Sequence, residues 1–75
     1  MDFSTPAERV AATVRAELAR HRKTQSGLAD HLGYGRTSLH RRMTGEQPFD
    51  IDEIHKIATY LDVPVTALIG TDVAA

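Results

Sequence analysis

Residues 24–45, TQSGLADHLGYGRTSLHRRMTG, decide the fold. They read as two short helices joined by a tight turn. Thr24 suits the N-cap of the first, whose apolar residues Leu28, Ala29 and Leu32 share one face, and that helix runs from Gln25 to about Leu32. Gly33 is able to take the left-handed position that ends it, Tyr34 bridges, and Gly35 takes the N-cap of the second helix. The second helix spans roughly Arg36 to Met43, and Gly45 lets the chain leave. Leu39 and Met43, one turn apart, form its buried side. Arg36, Thr37, Ser38, His40, Arg41 and Arg42 fall on the remaining arc and carry hydrogen-bonding groups suited to phosphates and base edges. Packing alone does not account for such a helix. Gly27, inside the first helix, costs about 1 kcal/mol relative to alanine; close approach to the preceding helix or to a phosphate would justify it.

Helical signals continue on both sides. Upstream, Thr5-Pro6-Ala7-Glu8 is a capping box with proline at the first helical position. Val10, Val14 and Leu18 follow at four-residue spacing, which carries this helix to about Arg22. Downstream, Pro48 and Phe49 form a link, and Asp50 with Glu53 makes a second capping pattern. Ile51, Ile54, Ile57, Ala58 and Leu61 keep helical spacing and are expected to face inward. Asp62-Val63-Pro64 is a short break, Val65 to Ile69 a last helix ended by Gly70, and residues 71–75 a loose tail. No stretch alternates as a strand would, so an all-α fold of five helices is expected.

The chain has 75 residues and no cysteine, which suits one domain held by core packing or dimerisation, without disulfides or a thiolate metal site. No leader-like or membrane-spanning apolar run occurs, so a cytoplasmic location is expected. The net charge of -1 conceals a segregation. From Arg9 to Gly45, the eight cations Arg9, Arg15, Arg20, Arg22, Lys23, Arg36, Arg41 and Arg42 face only Glu17 and Asp30. Beyond Gly45, Lys56 stands alone against Glu46, Asp50, Asp52, Glu53, Asp62 and Asp72. A basic half attracts polyanions, while an acidic remainder limits indiscriminate binding.

The ordered set of Gln25, Leu28-Ala29, Leu32-Gly33, Leu39 and Gly45, followed by the run from Pro48 to Ile69, resembles the phage lambda and 434 repressor and Cro-type helix-turn-helix proteins. The resemblance covers about residues 14–69. It implies a lambda-repressor-like DNA-binding domain whose second motif helix enters the major groove, in a phage or bacterial setting. It further implies base reading by Arg36, Thr37, Ser38, His40 and Arg41, with an arginine pairing to guanine. Phosphate contacts are expected from Thr24, Gln25, Gly35, Arg42, Thr44 and Gln47, and dimerisation through Val65, Leu68, Ile69 and Val73. Many members pair an arginine on helix one with a glutamate at the end of helix three. Leu18 and Met43 occupy those positions here, which suggests an uncharged contact. Glu46, in the following loop, would repel a phosphate.

Other chemistries have less support. His21, His31, His40 and His55 lack metal-ligand spacing, Ser38 near His40 lacks an orienting acid, and no glycine-rich nucleotide loop is present. No enzyme activity, metal, cofactor or small-molecule ligand is therefore expected. The expected function is a transcriptional regulator of the Cro or short-repressor kind, homodimeric on a double-stranded DNA operator and acting by occupancy. The alternative is a protein-interaction module, or an antitoxin-like protein, that meets its partner through the acidic half.

Overall fold

A computed structural model describes residues 5–69, and the account below concerns those residues. Five helices occur in the order α1 (Pro6–Arg20), α2 (Gln25–Leu32), α3 (Arg36–Met43), α4 (Ile51–Leu61) and α5 (Thr66–Ile69), with no strand among the described residues. No helix among them is long and apolar enough to cross a membrane.

Local chemistry sets the helix starts. Thr5 Oγ1 accepts from the Glu8 amide at 3.1 Å while the Thr5 amide donates to Glu8 Oε1 at 2.8 Å, closing the capping box of α1. Asp50 and Glu53 repeat this reciprocal arrangement at α4, at 2.7 and 2.8 Å. Each box satisfies two amides that a helix cannot bond internally.

Left-handed residues end the helices. Gly33 (φ 77°) closes α2 and Gly45 (φ 82°) follows α3, as their positions predict. The same conformation is adopted by Arg22 (φ 56°) after α1 and by Asp62 (φ 55°) after α4. At α1 the Lys23 amide reaches back to the Leu18 carbonyl at 2.8 Å and the Arg22 amide to that of Ala19 at 3.1 Å. This pair of bonds is a Schellman stop, and it ends α1 at Arg20, two residues before the expected Arg22. A non-glycine residue in this conformation costs roughly 1–2 kcal/mol, which the recovered carbonyl bonds offset.

The core gathers Val14 and Leu18 of α1, Leu28 and Ala29 of α2, Leu39 and Met43 of α3, Ile54, Ile57, Ala58 and Leu61 of α4, and Leu68 of α5. α1 packs on α3 and α5, and α2 on α4 and α3. Leu18 and Met43, which stand where the resemblance implied an ion pair, both lie in this apolar core. Three expectations need correction. Phe49, read as part of a link, is buried in the core. Ile51, expected to face inward, is 71% exposed, because at about 100° per residue it falls at the edge of the arc on which Glu53, Ile54, Ile57, Ala58 and Leu61 are buried. Leu68, assigned to a dimer patch, is 1% exposed, and its burial stabilises this chain by roughly 1.5–3 kcal/mol. Gly70, the tail at 71–75 and Val73 lie outside the described residues.

The two glycine stops differ in surroundings. A Cβ at Gly33 would meet nothing within 4 Å, whereas one at Gly45 would lie 3.0 Å from the Glu8 Cα and closer still to its Cγ. Gly33→Ala should therefore cost about 1–2 kcal/mol, the left-handed penalty alone, and Gly45→Ala distinctly more. Urea unfolding of the two variants measures the difference; equal losses would show that Gly45 is not pressed against α1.

Candidate nucleic-acid interface

Two amphipathic helices and the three-residue gap Gly33–Gly35 build the site. On α2, Leu28 and Ala29 are buried while Gln25, Ser26, Asp30 and His31 are exposed. The Thr24 hydroxyl accepts from the Gly27 amide at 3.0 Å, so the amides of Gln25 and Ser26 precede the first internal bond of the helix and face outward. Gly27 has its reason in the packing of α2 on α4: a Cβ there would stand 3.0 Å from the Tyr60 hydroxyl and 3.2 Å from Thr24 Oγ1. The close neighbour is thus a side chain of α4, where helix one or a phosphate was expected. Tyr60 itself is held by ring stacking with His31, centroids 4.6 Å apart, and by the Lys23 ammonium 4.6 Å from its ring centre.

On α3 each residue advances about 100° around the axis. With Leu39 and Met43 buried, Thr37 and Arg41 point directly away from the core, Arg36 and His40 flank them on the α2 side, and Ser38 and Arg42 on the other. Gly35 caps α3 without a side-chain bond, which leaves the first-turn amides of Arg36, Thr37 and Ser38 open at the positive end of the helix dipole. Between the two helices lies a groove of about 440 Å³ lined by Gln25, Ser26, Ala29, Arg36, Thr37, Leu39 and His40. Buried Ala29 and Leu39 make an apolar floor, and the exposed residues make polar walls.

The expected base readers, Arg36, Thr37, Ser38, His40 and Arg41, are all exposed, and Arg36, Thr37 and His40 line the groove. Neither Arg36 nor Arg41 takes part in any of the ion pairs formed among the described residues. The expected phosphate contacts divide. Gln25 and Gly35 sit at open helix starts. Thr24 is engaged as a cap, and Thr44 Oγ1 donates to the Arg41 carbonyl at 3.0 Å, although both remain exposed. Gln47 is exposed, and its amide donates to the same Arg41 carbonyl at 3.1 Å. Arg42 departs from the expectation. Its side chain is 15% exposed and its Nε donates to Glu53 Oε2 at 3.0 Å, so the guanidinium is held inside. Ser26, missed from the sequence, lines the groove beside Gln25; its place in the first turn of α2 was the available signal.

Two consecutive helices joined by a tight turn, the second with an exposed polar face, form the arrangement with which helix-turn-helix proteins approach a duplex. The BetR domain family model matches residues 3–75. The chain belongs to the BetR domain family. It is therefore a helix-turn-helix DNA-binding protein, and α2 with α3 constitutes the motif of this BetR domain. Comparison with curated proteins gave no match.

The cap on α2 sets the first turn of the motif. Thr24→Ala should lower the stability of the BetR domain by about 1 kcal/mol, read as a lower urea midpoint in the absence of DNA. An unchanged midpoint would mean that the Thr24–Gly27 bond contributes nothing to the motif.

Proposed function

We propose that this protein is a sequence-specific transcriptional regulator of the Cro or short-repressor kind, which places α3 in the major groove of an operator and acts by occupying it. The observation that carries this reading is the outward arc of α3, where Thr37 and Arg41 oppose the buried Leu39 and Met43, with Arg36 beside them. Arginine is able to donate two parallel bonds to guanine O6 and N7, and the threonine methyl suits a thymine methyl. Gln25 at the start of α2 and the amides beside it act as the phosphate anchor that sets the register of α3.

Dimerisation is expected on the DNA. Of the four residues assigned to a dimer patch, Leu68 belongs to the core, while Val65 and Ile69 are half-buried against it. Among the described residues this leaves two partly covered side chains of that patch, where a standard stable interface takes roughly 800 Å² per partner. The protein should therefore sediment as a monomer at micromolar concentration and bind operator as two copies on half-sites about one helical turn apart. A stable dimer without DNA would contradict this assignment.

Selection from a randomised duplex library at two salt concentrations tests the function itself. A retained consensus with half-site repetition, bound less tightly as salt rises, is the expected outcome; retention of no preferred sequence would remove the regulator reading. On that consensus, Arg36→Ala and Arg41→Ala should each lose about 1–3 kcal/mol of discrimination at particular base pairs, whereas Gln25→Ala should weaken all sequences alike. Uniform losses in all three variants would overturn the division into readers and anchors.

A further inference from the structure

We propose that Arg42 is a positioning residue, which sets the angle of α3 for base reading from the side away from the DNA; this rests on the reading of α3 given above. The Arg42 side chain joins three parts of the fold. Its Nε donates to Glu53 Oε2 of α4 at 3.0 Å, its Nη1 donates to the Ser38 carbonyl one turn back at 2.9 Å, and its guanidinium carbon lies 4.5 Å above the centre of the Tyr34 ring in the turn. Lysine would not reproduce this set, because only a planar fork both stacks on a ring and directs separate N–H groups to two acceptors.

Glu53 is fixed before Arg42 meets it. It is 5% exposed, its Oε1 accepts from the Asp50 amide at 2.8 Å, and its own amide donates to Asp50 Oδ1 at 2.7 Å. The capping box of α4 thus sets the direction in which Oε2 points, and Arg42 aligns α3 to it. On the opposite side, Arg15 Nη2 of α1 donates to the Met43 carbonyl at 2.8 Å. The last turn of α3 is consequently held from α4 and from α1, while its first turn is free to approach a duplex.

Leverage gives this arrangement its functional consequence. Arg36 stands six residues before Arg42, about 9 Å along the axis at 1.5 Å per residue. A tilt of roughly 10° at the held end would displace the reading end by about 1.5 Å, several times the tolerance of a hydrogen bond to a base edge. Phosphate contacts through flexible side chains absorb such a shift. Loss of the Arg42 fastening should therefore erode base discrimination while leaving the electrostatic part of binding in place.

Two variants, Arg42→Met and Glu53→Gln, test the proposal through discrimination between the selected consensus and its single-base variants, the slope of log affinity against log salt, and thermal unfolding without DNA. Both should lose roughly fivefold or more in discrimination, the lower range of one bidentate base contact, with unchanged salt slopes. Arg42→Met that keeps full discrimination but has a slope shallower by about 0.9, the release of one phosphate contact, would show Arg42 to be a phosphate ligand and overturn the proposal. A lower melting temperature with full discrimination in the folded protein would overturn it equally, as a merely structural role. If Arg42→Met does not fold, Glu53→Gln decides by the same discrimination measurement, since Gln keeps an acceptor for the Asp50 amide. A wild-type protein without base preference overturns the regulator reading and this proposal together; a discriminating wild type matched by its folded variants overturns the proposal alone.

Discussion

An eight-residue helix with two buried side chains does not hold itself together. Isolated helices shorter than about 12–15 residues are marginal in water, and α3 leaves only Leu39 and Met43 to anchor it. The surrounding structure is arranged around that deficit. α1 supplies Val14 and Leu18 to the same core, and Arg15 to the last carbonyl of α3. α4 supplies Glu53, and the turn supplies Tyr34. Because neighbouring elements provide the stability, Arg36, Thr37, Ser38, His40 and Arg41 are left exposed and carry polar groups outward.

The segregation of charge along the chain changes meaning once folded. Arg42 belongs to the basic half and Glu53 to the acidic half, yet they neutralise each other inside the domain. Glu17 likewise is buried and pairs with Arg20 at 2.8 Å and lies 3.5 Å from His21. Among the exposed cations outside the ion pairs of the described residues are Arg36 and Arg41 of α3, near the amides at the starts of α2 and α3. Partly buried pairs such as Arg42–Glu53 contribute little net stability against apolar packing, but they are specific in direction, and direction is the quantity on which a base-reading helix depends.

Whatever was encoded within four residues could be read from the chain. Both capping boxes, the Thr24 cap, and the bounds of α2, α3 and α4 follow from a polar acceptor, an amide three positions on, and glycine where a left-handed angle is needed. The places where reading fell short depend on tertiary context. Arg22 and Asp62 adopt left-handed angles without being glycine, since the bonds of the helix stop outweigh the local penalty. Ile51 falls at the edge of the buried arc of α4 and is left exposed, and Phe49 turns inward from a segment with no period at all. Arg42 reads from the sequence as a phosphate contact; its pairing inside the domain follows from an acceptor eleven residues away whose orientation no pattern in the sequence reveals.

The same comparison explains how a helix-turn-helix can forgo the ion pair between helix one and the end of helix three that its phage-repressor resemblance implies. Leu18 and Met43 fill those positions with apolar volume, which removes the cost of burying two charges but also removes a directional bond. Here direction returns by other routes, from Arg15 to the Met43 carbonyl on the α1 side and from Arg42 to Glu53 on the α4 side. The carbonyl acceptor is a backbone group at the end of α3, so the α1 link needs a donor on α1 but no particular side chain on α3. On the reading of α3 proposed above, a helix fixed at its far end is obtained with a different set of atoms, and its sequence signature shifts from one charged pair to two contacts that share the final turn of α3.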